Sequence, residues 1–227
     1  MFYGDLPTFL ADGVIRSKNH PNPQSCHQTS YQQIVDRRGS AEFQVPCGGV
    51  VNDYVPFYFS PKTSFTFTIH KGNVPLVSPD GMDFGVASDD HRIFFVCKAE
   101  TFRNLGLTFC FSDFPLNSLA PMPSLISDLD RLEEHVHWDV FDEDQTAKIV
   151  EIGYEGVCSW FHNTASPPNR QLRSQKRMAE FLVAGAVPLG AVECIIAKTD
   201  EMKDTLTEMM NASAWNIPIY TKRGCYF

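Results

Sequence analysis

A proline stands in the middle of the most strand-like segment of this chain, and it limits where that segment can go. Tyr54-Val55-Pro56-Phe57-Tyr58-Phe59 is aromatic and apolar, the composition of a strand packed on a core. Pro56 has no N–H to give to a ladder, so the strand must lie at a sheet edge or carry a bulge. Gly48-Gly49, just upstream, can take positive φ and predict a turn leading into it. Edge strands and bulges often border clefts, so the segment is a candidate wall of a site as well as core.

A second apolar strand is expected at Ala179–Ala184, where Phe181-Leu182-Val183 enters a core with one carboxylate, Glu180, at its mouth. Upstream, Arg170, Arg173, Lys176 and Arg177 put four cations into eight residues. An acid beside cations at the mouth of a core strand can orient a polar substrate while an anionic group is held nearby. The alternative is a solvated glutamate that merely opens a strand, as most isolated carboxylates are solvated.

With 227 residues, 43% hydrophobic and 20% charged, the chain suits one domain spanning 1–227. It shows no Pro/Gly/Ser-rich linker, repeat or low-complexity tract. No apolar run reaches membrane-spanning length and the N-terminus lacks a secretory pattern, which predicts a cytoplasmic protein without membrane contact. The seven cysteines are odd in number and include no Cys-x-x-Cys, so reduced thiols are expected, with neither a disulfide framework nor a zinc site. His135 and His137 flank Val136 with no further ligands in reach, and no metal is expected.

The net charge of −8 excludes a generic coater of duplex DNA, which carries a basic excess. The charge is unevenly spread: acids crowd Asp128 to Asp144, and cations gather at Arg37-Arg38 and Arg170 to Arg177. An acidic shell with a local basic channel fits an enzyme that grips a few phosphates.

Helices are predicted at Leu6–Asp12, ending at Gly13, at 26–38, at 124–136 and at 201–212. Strands are predicted at Tyr54–Phe59, Arg92–Lys98, Leu107–Ser112, Ala179–Ala184, Val192–Lys198 and Ile217–Thr221. Ser64–His70 is ambiguous, because its alternating Phe and Thr favour a strand. Strands concentrated in the second half, with helices before and between them, indicate an α+β fold.

The motifs Asp53-Tyr54-Val55-Pro56-Phe57-Tyr58-Phe59, Ile69-His70-Lys71-Gly72-Asn73, Ala179-Glu180-Phe181-Leu182-Val183 and Ile34-Val35-Asp36-Arg37-Arg38, in this order and spacing, closely resemble the DarT-type toxins. These are NAD-dependent ADP-ribosyltransferases that modify bases of single-stranded DNA. The resemblance spans nearly the whole chain. It implies the ADP-ribosyltransferase fold, with two small sheets forming an NAD cleft, and a helix at Ser64–His70. It implies Glu180 as the catalytic carboxylate, Arg38 as the catalytic cation near the diphosphate, and Tyr58 and Phe65 as lining of the nicotinamide pocket. NAD would be a substrate and no metal would be needed. The partners implied are single-stranded DNA and an antitoxin ADP-ribosylglycohydrolase, macrodomain-type or similar.

These residue types suit the chemistry. An arginine fork grips diphosphate at any physiological pH, and a glutamate can hold the ribose and accept a proton from an attacking base. Arg173, Lys176 and Arg177 are then candidate DNA-binding cations, with a solvated basic face as the alternative. Two departures from the family pattern bear on function. Relatives typically open with a strand carrying His-x-Thr, whereas this chain starts at Met1-Phe2-Tyr3, where that pair would just have ended. Many relatives carry Phe-Thr-Asp followed closely by His, whereas here the run is Phe111-Ser112-Asp113-Phe114-Pro115. Thymine and guanine both stay open as the modified base. Two other classes also stay open: a transferase acting on RNA or protein, and an inactive nucleic-acid-binding relative.

Overall fold

In the computed structural model, which describes residues 1–41, 45–143, 145–165, 168 and 171–227, the glycine signals are obeyed first. Helix α1 (Leu6–Asp12) stops at Gly13, whose φ of +70° puts it in the left-handed region and whose N–H closes on Phe9 O. Strand β1 (Val14–Arg16) follows. Helix α2 (Gln32–Arg38) comes next, and the turn at Gly48 (φ +89°) and Gly49 (φ +75°) leads towards strand β2 (Tyr54–Tyr58). The predicted helix at 26–38 therefore loses its first half. Gln28 instead bridges Val77, and the Asp5 carboxylate takes the His27 N–H at 3.0 Å, so that stretch is held extended.

Ser64–His70 is helix α3, not a strand. Thr63 accepts from Thr66 N and Thr66 answers from its own side chain, a reciprocal cap that sets the helix start. Then come β3 (Pro75–Val77), β4 (Asp83–Val86), β5 (Phe94–Cys97), α4 (Ala99–Asn104), β6 (Phe109–Ser112), β7 (Leu125–Ile126) and α5 (Leu132–His135). The long helix expected at 124–136 is thus a short strand, a 3-10 turn capped by Asp128 and a single α-turn. The rest comprises α6 (Arg173–Lys176), β8 (Glu180–Ala184), β9 (Ala186–Pro188), β10 (Val192–Ala197), α7 (Asp200–Asn211) and β11 (Ile219–Thr221).

Two sheets carry the architecture. One has the order β2-β8-β6-β7 and the other β11-β10-β5, with two-stranded ribbons β1-β9 and β3-β4 beside them. Strand β2 is an edge, so Pro56, opposite Leu182, withholds its missing N–H from nothing but solvent. Strand β8 is central, pairing antiparallel with β2 and β6. Its period-2 alternation sorts its side chains. Phe181 and Val183 point into the main core with Val55, Phe111, Ile195, Ala197 and the α1, α4 and α7 residues Phe9, Phe102 and Leu206. Leu182 points the other way, joining Tyr54, Cys110 and Leu116. Glu180 shares the parity of Leu182, and this second face carries the site. No helix among the described residues is long and apolar enough to cross a membrane.

Candidate active site

Sheet register alone places three polar side chains in a row. Glu180, the first residue of β8, is directly opposite Tyr58 on β2. On its other side the Glu180 N–H donates to Ser112 Oγ on β6 at 3.0 Å. Helix α2 then brings Arg38 over this row. The helix is pinned from below by Asn52 Nδ2 donating to Val35 O at 2.9 Å, and from above by Arg37 Nη1 donating to Asn117 O at 2.8 Å.

The guanidinium of Arg38 meets Glu180 fork to fork, with Nη1 at 2.9 Å from Oε1 and Nη2 at 2.8 Å from Oε2. Oε1 also accepts the Leu116 N–H at 3.3 Å. Glu180 is 2% exposed, so the solvated alternative fails. Burial alone would weaken the Arg38 charge, but the Glu180 carboxylate and its hydrogen bonds outweigh that and hold the guanidinium above its ordinary range. The Tyr58 hydroxyl is pushed well above the usual phenol range, first by burial and then by Glu180, with Arg38 acting against the shift. It is therefore a neutral donor at any physiological pH.

Phe65 and the basic run lie outside the fork itself. Phe65, on α3, packs against Phe2, Ile69, Val74, Leu76 and Ala87. Arg173 and Arg177 are 1% and 0% exposed and form no surface track, which revises their reading as DNA-phosphate ligands. Arg177 Nη1 donates to Val140 O at 2.9 Å, Nη2 to Ser60 Oγ, Lys62 O and Cys158 O at 2.9, 2.8 and 2.9 Å, and Nε to Lys62 O at 3.3 Å. It is an internal staple. Arg173 Nη2 lies 3.1 Å from Glu143 Oε2, out of line for a good hydrogen bond. Lys176 alone of the three is half-buried rather than buried. Arg170 and Asp144 lie outside the described residues.

All seven cysteines are free. Among the described residues no group of three or more His, Cys, Asp or Glu could hold a metal ion. His135 Nε2 lies 3.0 Å from Ser124 O. The His137 ring packs edge-on to Phe114, with its pKa lowered by burial and by Lys176. Sequence reasoning missed Ser112 and the Leu116 amide. The first is the last residue of a recognisable apolar strand, where a lone serine carries no signal of its own, and the second is a backbone group with no sequence signal.

The family model described as "ssDNA thymidine ADP-ribosyltransferase, DarT" matches residues 4–227. The chain belongs to this family and is an NAD-dependent DNA ADP-ribosyltransferase. Among curated relatives, the DNA ADP-ribosyl transferase of Thermus sp. (strain 2.9) is 25% identical over 206 residues, covering 91% of this chain and 82% of the relative. The solved DarT of Thermus sp. 2.9 in complex with ADP-ribosylated single-stranded DNA superposes with a TM-score of 0.77 at 21% identity, covering 100% of this chain and 93% of that one. The same protein in complex with NAD+ gives a TM-score of 0.74 at 21% identity, covering 100% and 94%. DarTG of Thermosipho africanus in complex with ADP-ribose gives 0.64 at 14% identity, covering 100% of this chain and 49% of that one. These likenesses establish the fold, with two sheets and flanking helices as expected.

Proposed function

We propose that the base modified is thymidine, and that Glu180 and Arg38 carry the transfer. The observation that bears the reading is the bidentate Arg38–Glu180 pair at 2.8 and 2.9 Å, formed across 142 residues of sequence. The description of the family favours thymidine, and the ADP-ribosylated single-stranded DNA held by the Thermus protein favours a single-stranded acceptor. The donor chemistry fits the dinucleotide. Arg38 offers two parallel N–H donors to a diphosphate, Tyr58 a ring and a neutral hydroxyl towards the nicotinamide end, with Phe65 contributing from α3. The buried Glu180 carboxylate supplies negative charge where the ribose becomes cationic.

In the reaction, the bond from ribose C1′ to the nicotinamide nitrogen breaks and its electron pair leaves with neutral nicotinamide. A thymine ring nitrogen forms the new bond to C1′. Of its two ring nitrogens N1 already bears deoxyribose, so N3 attacks, and Glu180 accepts the N3 proton. A single-stranded substrate follows from access, since N3 is hidden in a base pair and extrusion costs a few kcal/mol. Lys176, the last residue of the α6 turn that leads towards Glu180, is the remaining candidate for a phosphate contact in that run.

Residues 1–227 act as one unit. Support comes from the Trp215 indole donating to Leu10 O across 205 residues at 2.9 Å. We further read the protein as the toxin of a pair whose antitoxin is an ADP-ribosylglycohydrolase, macrodomain-type or similar, acting in the cytoplasm. The likeness to DarTG supports a paired system.

The test incubates the protein with NAD and single-stranded, duplex, RNA and protein acceptors, followed by mass spectrometry of released nucleosides. ADP-ribosylated thymidine from single strands alone is expected, and Glu180→Gln should lower transfer by roughly 10²–10³. Guanine modification, equal labelling of duplex, or transfer by Glu180→Gln within about threefold of the parent would overturn the corresponding part.

A further inference from the structure

The Arg38–Glu180 fork raises a problem that the structure also answers. If Arg38 serves the NAD diphosphate during the reaction, Glu180 loses the two strongest bonds that hold its carboxylate. A second set of contacts remains, and it forms a closed loop. Ser112, 0% exposed on β6, accepts the Glu180 N–H at 3.0 Å. The same hydroxyl donates its proton to Phe114 O at 2.7 Å, fixing the chain just beyond the strand. Two residues further on, the Leu116 N–H donates to Glu180 Oε1 at 3.3 Å, and the Leu116 side chain is fully buried. The next residue, Asn117, takes the Arg37 guanidinium on its carbonyl at 2.8 Å, which ties the same loop to α2.

We propose that Ser112 is a positioning residue for this transferase: through the 113–117 loop it aims the Leu116 N–H at Glu180 and keeps the carboxylate in place when Arg38 engages NAD. The argument rests on Glu180 being the catalytic carboxylate. Ser112 touches neither the fork nor the proposed substrate. Its hydroxyl is placed to accept from one strand and donate to the loop at once, which an alanine cannot do and a threonine can. A glutamate left to wander by an ångström would lose rate with little loss of NAD binding.

The experiment compares Ser112→Ala, Ser112→Thr and Glu180→Gln in full-length protein, using steady-state transfer to a thymidine-containing single strand, NAD titration and thermal melting. Ser112→Ala should melt as a folded protein, keep its KM for NAD within about twofold and lose kcat by roughly 10- to 100-fold. Ser112→Thr should restore kcat. A folded Ser112→Ala with parental kcat, a proportional loss of NAD binding, or a folded Ser112→Thr as impaired as Ser112→Ala would overturn the proposal. If Ser112→Ala does not fold, Ser112→Cys replaces it, because a thiol is a weak donor in a similar volume, and parental kcat in a folded Cys variant overturns the proposal equally. An active Glu180→Gln would instead remove the underlying reading, so the two failures are distinguishable.

Discussion

Tyr58, the last residue of β2, and Glu180, the first residue of β8, face each other across the antiparallel pair. Pro56 suits β2 to the sheet edge, where β8 is its one neighbour in the sheet. Glu180 and burial together keep the Tyr58 hydroxyl protonated. Tyr58 therefore acts through its ring and a neutral O–H and never as a base. Tyr58→Phe should keep the KM for NAD within about threefold, whereas Tyr58→Ala, by removing an aromatic wall whose burial contributes about 1.5–3 kcal/mol, should raise it roughly 10- to 100-fold. Equal effects of the two substitutions in a KM titration would contradict a ring role.

The buried fork makes Arg38 and Glu180 interdependent in folding as well as in chemistry. Side-chain exposures of 14% and 3% leave little water to replace a missing partner. Arg38→Ala should therefore destabilise by about 3–5 kcal/mol, and so should Glu180→Ala, while the double variant should cost clearly less than their sum. Arg38→Lys keeps the charge but loses the parallel donors, so it should fold better than Arg38→Ala and still transfer poorly. Urea unfolding of the parent, the two single alanine variants and the double variant measures the coupling, and strictly additive losses would show that the fork adds nothing of its own.

Much of this site was legible in the residues. The glycine at position 13, the proline at 56 and the single acid before Phe181-Leu182-Val183 each impose a local constraint that nothing distant overrides. What failed did so for a common reason: the deciding partner lay far away in sequence. His27 and Gln28 were drawn out of a helix by Asp5 and Val77. Leu125-Ile126 became a strand because Phe111 and Ser112 offered a free edge. Arg177 looked like one of a run of surface cations because spacing cannot show carbonyls converging from residues 62, 140 and 158.

That staple leads to a test separating structure from DNA binding. Arg177 is held by four acceptor groups, with the Phe141 ring 5.1 Å from its charge centre. Arg177→Ala strips those carbonyls of their partner inside the protein and should cost about 3 kcal/mol or more. Where it remains folded, the salt dependence of DNA affinity should match the parent. Lys176→Ala should do the opposite, with stability nearly unchanged and the log–log salt slope reduced by about 0.7, the value for one phosphate contact on a single strand. A flattened slope in folded Arg177→Ala would return it to the DNA surface.

The buried thiols predict how stability responds to alkali. Burial pushes Cys97, Cys110 and Cys194 up to about 12 and Cys225 up to about 11, from an ordinary 9.0, with neighbouring Glu193 adding to the first and third. Each is a neutral acid in the folded protein that could ionise once unfolded. Between about pH 9 and pH 11–12 the unfolded chain thus binds fewer protons than the folded one, and stability must fall as pH rises. Below that window both states hold the same thiol protons and these groups contribute no slope. The urea midpoint should therefore be level in this respect up to about pH 9 and then decline. Cys110→Ala should lose stability through its cavity yet decline less steeply with pH, since one raised thiol is gone. Cys47, exposed on the surface, should be alkylated in the native state well ahead of Cys110 and Cys194. A midpoint that stays flat between about pH 9 and pH 11, or native-state alkylation of Cys110 at the rate of Cys47, would mean that these thiols are not held in the interior.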